Sequence, residues 1–309
     1  MNVCCFQNKN SEYVIKAEVT YSFQDKERFQ NKVLPYVFGC GMFYTNKNPE
    51  IKLTDDNARY RTSFILKTKS LAQLVSATTS MLRFSPDCKL EKVKIMKCPK
   101  ITSKQLPDQY TKKFLLGVIL KPSLFYEDSI NKVIDYALKN KYDFVKDDDV
   151  SEYSTKESAR ISRIVKGPVY LQKITSLNNI QGEGDWNLVT PCIHGWQLLE
   201  QASKQKVTAA HCAGLSPQIS WESFIMFSRL AGAAMVICPD TEFDKSFDLK
   251  NLIKEASIPI GGVPETRIII GGGLTPARIK EVLKNIDKSY YKNLGFAIGS
   301  WILKRNDKK

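Results

Sequence analysis

The chain has 309 residues, a formal net charge of +14, and 43% hydrophobic and 25% charged residues. That length allows two domains with ample core, and the composition is that of a globular protein; no run of 18 apolar residues predicts a membrane-spanning helix. The positive charge points to polyanions in general, but the lysines are scattered and arginine is scarce. Without a basic helix, an RNA-recognition aromatic motif or zinc-knuckle spacing, neither nucleic acid nor a membrane is expected as a partner.

Met1 to Lys16 has no apolar h-region, so no secretory signal is expected, and this stretch reads as a frayed lead-in to a strand. The eight cysteines include the adjacent Cys4 and Cys5, and none has C-x-x-C spacing. They read as reduced thiols of a cytoplasmic protein, mostly small buried hydrophobes.

Tyr13 to Phe23 alternates like a strand, and Asp25 to Tyr36 fits a short helix. Ala58 to Lys67 is a second strand, with Tyr60, Thr62, Phe64 and Leu66 on one face. Ser70 to Leu82 has helical spacing through Leu71, Leu74 and Val75, and Leu90 to Met96 is a further strand. Residues 1–110 thus read as a small α+β (ferredoxin-like) domain ending in the polar, Pro107-containing linker Pro99 to Tyr110.

From Lys113 strands and helices alternate. Strands are predicted at Phe114 to Lys121, Asp143 to Asp148, Val169 to Ile174, Asn187 to Cys192, Val207 to Cys212, Ala234 to Cys238, Arg267 to Ile270 and Gly295 to Ile298. Helices are predicted at Asp128 to Lys139, Ser151 to Val165, Gly195 to Lys204, Trp221 to Leu230, Phe247 to Ala256 and Pro276 to Ile286. Ser176 to Trp186 is too rich in Gly and Asn for a normal helix, and little chain follows the eighth strand. Residues 111–309 therefore read as a shortened (β/α)8 barrel, an α/β TIM barrel carrying the active site.

The run Tyr142 to Asp149 begins as a strand and ends in three acids. Alternation puts Phe144, Lys146 and Asp148 on one face, with Asp149 where the chain turns. Carboxylate oxygens are the ligands Mg²⁺ prefers, and a lysine converted by CO2 to its carbamate adds another oxygen ligand. The plainer alternative is a lysine neutralising a solvated acidic turn. In such a barrel the C-terminal strand ends build the active site, and there Lys121 and His211 join Lys146.

The second constellation is Gly271-Gly272-Gly273-Leu274-Thr275-Pro276 after strand seven, with Gly299-Ser300 after strand eight. Glycine lets backbone N–H groups approach an anion, and a helix start favours its charge. Loops seven and eight are the usual phosphate cradle of these barrels. A tight glycine turn without a ligand is the alternative. Phosphate, hard metal and lysine together suit proton abstraction next to a carbonyl.

Two segments resemble the RuBisCO large-chain family and its RuBisCO-like proteins. Gly117-Val-Ile-Leu-Lys-Pro-Ser123 is similar to G-x-x-x-K-P-K, and Tyr142-Asp-Phe-Val-Lys-Asp-Asp-Asp149 to G-x-D-F-x-K-D-D-E. Weaker similarity runs through Ala209 to Gly214, Leu230 to Gly232 and Gly271 to Gly273. The resemblance implies a carbamylated Lys146 that binds Mg²⁺ with Asp148 and Asp149. It also implies Lys121 as acid/base, His211 beside the substrate, and Gly272, Gly273 and Gly299 in phosphate binding. A homodimer is implied in the same way.

The departures are as specific. Asp149 replaces glutamate, Ser123 a lysine, Cys212 a phosphate-binding arginine and Ile237 a histidine. Thr79 and Ser80 stand at the Gly-Asn pair, Cys40 to Phe43 is a reduced form of a Thr-Gly-Thr-Trp-like segment, and Pro239 to Ser246 lacks the Gly-Lys signature. CO2 fixation is therefore not expected. The expectation is a Mg²⁺-dependent enolase or isomerase acting on a small phosphorylated keto compound, of the methionine-salvage or sugar-acid phosphate type. The rivals are a non-catalytic family member that binds a phosphorylated ligand or a protein partner, and an unrelated phosphate-binding barrel.

Overall fold

The computed structural model describes residues 15–34, 51–53, 59–80, 82, 85–111, 113–121, 129–150 and 153–304. The lead-in before Ile15, Cys4, Cys5, the Cys40 to Phe43 segment and Ser123 lie outside the described residues. The chain forms two compact units: Met1–Lys100 with Leu215–Phe227 and Ile260–Val263, and Ile101–Gly214 with Ser228–Pro259 and Pro264–Lys309.

In the first unit an antiparallel sheet has the order β2-β3-β1-β4. Its strands are β1 (Ile15–Phe23), β2 (Ile51–Leu53), β3 (Tyr60–Thr68) and β4 (Lys89–Lys97). Central β1 aligns Val19 with Phe64 on one side and Val93 on the other. One face carries Ala17, Val19, Tyr21 and Phe23, all buried, as the period of two requires. The expected helix after Asp25 is present through the last described residue, Leu34: α1 (Lys26–Arg28) passes directly into a π-helical stretch at Phe29–Val33. Asp25 caps it by accepting from the Arg28 N–H at 2.8 Å. Helix α2 (Leu71–Thr79) starts at Ser70, whose hydroxyl accepts from the Gln73 N–H at 3.1 Å, and buries Leu71, Leu74 and Val75.

The second unit is a closed barrel of eight strands in the order β10-β11-β12-β5-β6-β7-β8-β9, each adjacent pair parallel. The strands are β5 (Leu115–Leu120), β6 (Phe144–Asp147), β7 (Val169–Lys173), β8 (Trp186–Val189), β9 (Thr208–His211), β10 (Met235–Pro239), β11 (Arg267–Gly271) and β12 (Leu294–Ile298). Seven of the eight lie within about two residues of their expected positions, the usual uncertainty of strand ends; β8 stops three residues short of the expected Cys192, because Pro191 opens a short helix there. The connecting helices are α3 (Ser129–Lys139), α4 (Thr155–Ile164), the short α5 (Pro191–His194), α6 (Trp196–Gln205), α7 (Trp221–Leu230), α8 (Leu249–Ser257), α9 (Pro276–Asn285) and α10 (Ser300–Lys304). Between β7 and β8 there is only a short 3₁₀ turn, Leu177–Asn179, where glycine and asparagine disfavour a helix.

Inside the barrel Leu115, Ile119, Phe144, Leu171, Leu188, Ala209, Met235, Ile237, Ile269 and Ala297 form one apolar cluster. Those that share a strand are separated by even steps, Leu115 from Ile119 and Met235 from Ile237, so the alternation also sets which residues emerge at the two ends. Gly117 belongs to the inward row of β5. A Cβ there would lie 2.1 Å from the Phe144 ring, so the ring fills the space that the glycine leaves. Gly117→Ala should therefore overpack the barrel and cost roughly 1–3 kcal/mol, read as a lowered denaturation midpoint. Combining it with Phe144→Leu should recover most of the loss.

Candidate active site at the C-terminal end of the barrel

The inward rows end in a charged cluster. Along β6, Phe144 lies in the apolar core, Lys146 is 1% exposed one step above it, and Asp148 is 3% exposed beyond the strand. The alternation expected from the sequence is therefore observed. Lys121, just past β5, donates from Nζ to Asp148 Oδ2 at 2.5 Å. Lys146 Nζ donates to the Asp147 carbonyl at 2.6 Å. Burial pulls the Lys146 amine down to about 8, against the attraction of Asp148 and Asp149 and with help from Lys121. Asp149 is half-buried at the turn. Burial pushes its carboxyl up, but hydrogen bonding with Asp148 and the Lys146 charge outweigh that and hold it below the usual range.

The three acids of the run do not share one role. Asp147 points away from this cluster, as alternation demands. Its Oδ1 accepts from the Tyr170 hydroxyl at 2.9 Å and its Oδ2 from the Lys173 N–H at 2.8 Å. Burial raises its carboxyl to about 6. Lys173, the last residue of β7, donates from Nζ to the Asp149 carbonyl at 2.6 Å. The sequence reading does not find it. Its position two residues beyond the core residue Leu171 is the signal that could have. Thr190 is missed too: it continues the row Trp186–Leu188, is 1% exposed, and its hydroxyl has no hydrogen-bond partner among the described residues.

His211 ends β9 and feels the charges of Lys146, Asp148, Lys173 and Lys121. Its Nδ1 accepts from the Ala213 N–H at 3.1 Å, so in the neutral ring the proton sits on Nε2. Burial, then the neighbouring lysines, pull the imidazole down to about 3. His211 is therefore a neutral hydrogen-bond donor. Cys212, where the resemblance calls for an arginine, is a thiol that burial pushes up to about 12, and Ile237 is a core residue.

The glycine loops lie at the same end. Gly272 and Gly273 have φ of +80° and +65°, a region glycine enters without strain. A Cβ on Gly272 would meet open space, whereas one on Gly273 would lie 2.3 Å from the Phe243 ring. Phe243 comes from the loop after β10, and its side chain lies over this turn. Asp240 of the same loop accepts from Arg278 Nε and Nη2 at 2.8 and 2.9 Å. Arg278 stands in the first turn of α9 and also reaches Glu281 at 2.9 Å. Its charge is thus engaged by carboxylates and does not replace the arginine missing at Cys212. Helix α9 begins as expected: the Thr275 hydroxyl accepts from the Arg278 N–H, and Pro276 is the first residue. Gly299 lies against Lys121, whose Cε would be 3.0 Å from an added Cβ. Ser300 opens α10.

Lys121, Lys146, Asp148, Asp149 and His211 are thus gathered in one electrostatic group, with Gly299 beside it. Among the described residues no group of three or more His, Cys, Asp or Glu side chains is arranged to hold a metal ion. Asp148 and Asp149 supply two carboxylates, and a carbamate on Lys146 would add a third oxygen donor. The buried, readily discharged amine suits that conversion, since only a neutral amine adds CO2.

No protein-family model and no curated protein matches the sequence. Solved structures do. A RuBisCO-like protein from Rhodopseudomonas palustris superposes with a TM-score of 0.71 at 19% identity, covering 93% of this chain and 94% of the other. The octameric ribulose-1,5-bisphosphate carboxylase/oxygenase of Pyrococcus horikoshii gives 0.70 at 15% identity, covering 94% and 84%. A RuBisCO-like protein from Alicyclobacillus acidocaldarius, MtnW, gives 0.64 at 13% identity, covering 92% and 88%.

Depressed to about 3, the His211 imidazole should stay neutral with its proton on Nε2 from pH 8 to pH 5, which ¹⁵N–¹H correlation spectra can read. The unfolded ring takes its proton near 6.5, so this site's contribution to stability is complete above that pH. It should be lost as pH falls toward 3, and His211→Gln should flatten that part of the stability–pH curve. In its barrel strands, their order and the small antiparallel sheet that precedes them in the chain, this protein has the fold of RuBisCO and the RuBisCO-like proteins.

Proposed function

We propose that this chain is a RuBisCO-like protein that does not fix CO2 and instead enolises or isomerises a small phosphorylated keto compound with Mg²⁺. The observation that carries this reading is the Lys121–Asp148 contact beside buried Lys146: two lysines of different environment and two carboxylates at one barrel mouth. Lys146 as a carbamate, with Asp148 and Asp149, forms the oxygen donor set that a hard cation favours. Mg²⁺ bound there would supply a Lewis acid that polarises the substrate carbonyl.

The remaining work falls to the chain. Lys121, as a neutral amine, takes the proton from the carbon next to the carbonyl and returns it at the neighbouring position. An ammonium held on Asp148 cannot accept that proton, so Lys121 must leave Asp148 and give up its own proton to solvent before it can act as the base. Asp148 would then have the same oxygen free to help hold the cation. His211 offers Nε2–H to a substrate oxygen, and the Thr190 hydroxyl is placed to do likewise. Backbone N–H groups of Gly272, Gly273, Gly299 and Ser300 hold the phosphate, with Phe243 displaced from Gly273.

One structural neighbour is a carboxylase/oxygenase; the substitutions at Cys212 and Ile237 and the loop Pro239 to Ser246 argue against that activity here. A homodimer and a cytoplasmic location go with the proposal. A second reading, a ligand-binding protein without catalysis, draws on Phe243 over Gly273 and on the engaged Arg278.

Titration calorimetry with Mg²⁺ and bicarbonate is expected to show binding that needs both and vanishes in Lys146→Ala; binding indifferent to Lys146 and CO2 would reject the carbamate. Wild-type protein should exchange solvent deuterium into a keto-phosphate. Lys121→Ala should slow exchange by about 10²–10⁴-fold, and exchange untouched by that change would remove Lys121 as the base. Phe243→Ala is expected to tighten phosphate-ester binding, measured by the same calorimetry, and unchanged affinity would mean that the ring does not guard the turn.

A further inference from the structure

At the opposite end of the barrel the chain carries a cavity. Its volume is about 320 Å³, and it is lined by Leu106, Thr111, Thr266, Arg267, Lys292 and Asn293, among others. Arg267 is the first residue of β11 and stands in the inward row below Ile269 and Gly271. Asn293 immediately precedes β12. The floor is thus built from strand starts, roughly 15 Å of strand away from the lysine cluster.

Arg267 is 4% exposed, and its Nη1 has no hydrogen-bond partner among the described residues. The Thr266 hydroxyl, 2% exposed, is in the same state. Arg229 shows what this fold does with a purely structural buried guanidinium. Its Nε donates to Pro264 O at 3.0 Å, Nη1 to Glu255 O at 2.7 Å and Nη2 to Ile258 O at 2.7 Å. Arg267 Nη1 has no such carbonyl.

Two acids are close, and both are engaged. Asp143 attracts the Arg267 charge, but its Oδ1 pairs with Lys113 at 2.7 Å and its Oδ2 accepts from the Leu116 N–H at 2.9 Å. Glu265 lies exposed at the rim, with Asn293 Nδ2 3.4 Å from its Oε2. Burial lowers the Arg267 guanidinium only to about 10, so at neutral pH it remains a cation facing a cavity.

We propose that this cavity is a binding site for a small molecule bearing an oxyanion, carboxylate or phosphate, held by the side chains of Arg267 and Thr266. A planar guanidinium and a neighbouring hydroxyl are the donors such a group needs. Leu106 and Ala234 supply apolar wall for a short carbon portion, and exposed Lys292 at the rim favours the approach of an anion. Glu265 at the same rim favours a singly charged ligand over a multiply charged one. The site lies apart from the proposed catalytic cluster and does not depend on it.

The test uses the full chain, with pyruvate and inorganic phosphate as probes and chloride at matched ionic strength as control. Binding is read by calorimetry and located by a crystal soak. Either probe should bind wild type and Lys146→Ala alike, with density against Arg267. Thr266→Val and Lys292→Ala should weaken binding, and Arg267→Gln should weaken it by about tenfold or more. Should Arg267→Gln not fold, the Thr266→Val and Lys292→Ala titrations decide. Water alone in the soaked cavity, binding that survives both of those changes at full strength, or binding lost in Lys146→Ala would each overturn the proposal.

Discussion

An ammonium on the axis of an apolar barrel has to be answered by carboxylates, and the top of this barrel is organised around that demand. Lys146 is a core residue by burial and an ion by chemistry. Asp148 and Asp149 answer its charge, Lys121 competes with it for Asp148, and His211 stays neutral because it is buried among these lysines. Removing either partner of such a buried pair leaves an uncompensated charge, which is why these arrangements are costly to break. A site of this kind is poised: small changes in which oxygen each lysine holds alter which amine is free to take a proton.

Much of this is legible in the sequence, and the reason is the period of two. Apolar strands separated by amphipathic helices give away the barrel, and the alternation Phe144, Lys146, Asp148 correctly puts the lysine and one acid on the inner face. The same rule assigns Asp147 to the outer face, where it meets Tyr170, a contact between strands that no local pattern announces. Lys173 and Thr190 escape notice because a single lysine or threonine at a strand end has no signature of its own. The helix expected after Asp25 is found, but its widening from α to π geometry at Phe29 has no mark that propensity distinguishes from regular helix. Phe243 over Gly273 joins the loop after one strand to the turn after the next, and only the folded chain brings them together.

The loop after β10 shows how substitution can change a site without changing a fold. Asp240 and Arg278 fasten that loop to the start of α9 through two short charge-assisted bonds. The arginine that could have served an anion is spent on holding the loop, and the aromatic ring the loop carries rests on a glycine. Any ligand entering this turn would have to move the ring, whatever its own contacts were.

Asp147 has a consequence for assembly. By gripping the Lys173 N–H with one oxygen and the Tyr170 hydroxyl with the other, it pins β7 against β6 in a single register. A slip of one residue would turn Gln172 into the barrel and send Lys173 outward, deleting one positive charge from the mouth while leaving the strand paired. An acid whose two oxygens are both taken by β7 thus acts as the ratchet tooth that keeps the count of charges at the mouth correct.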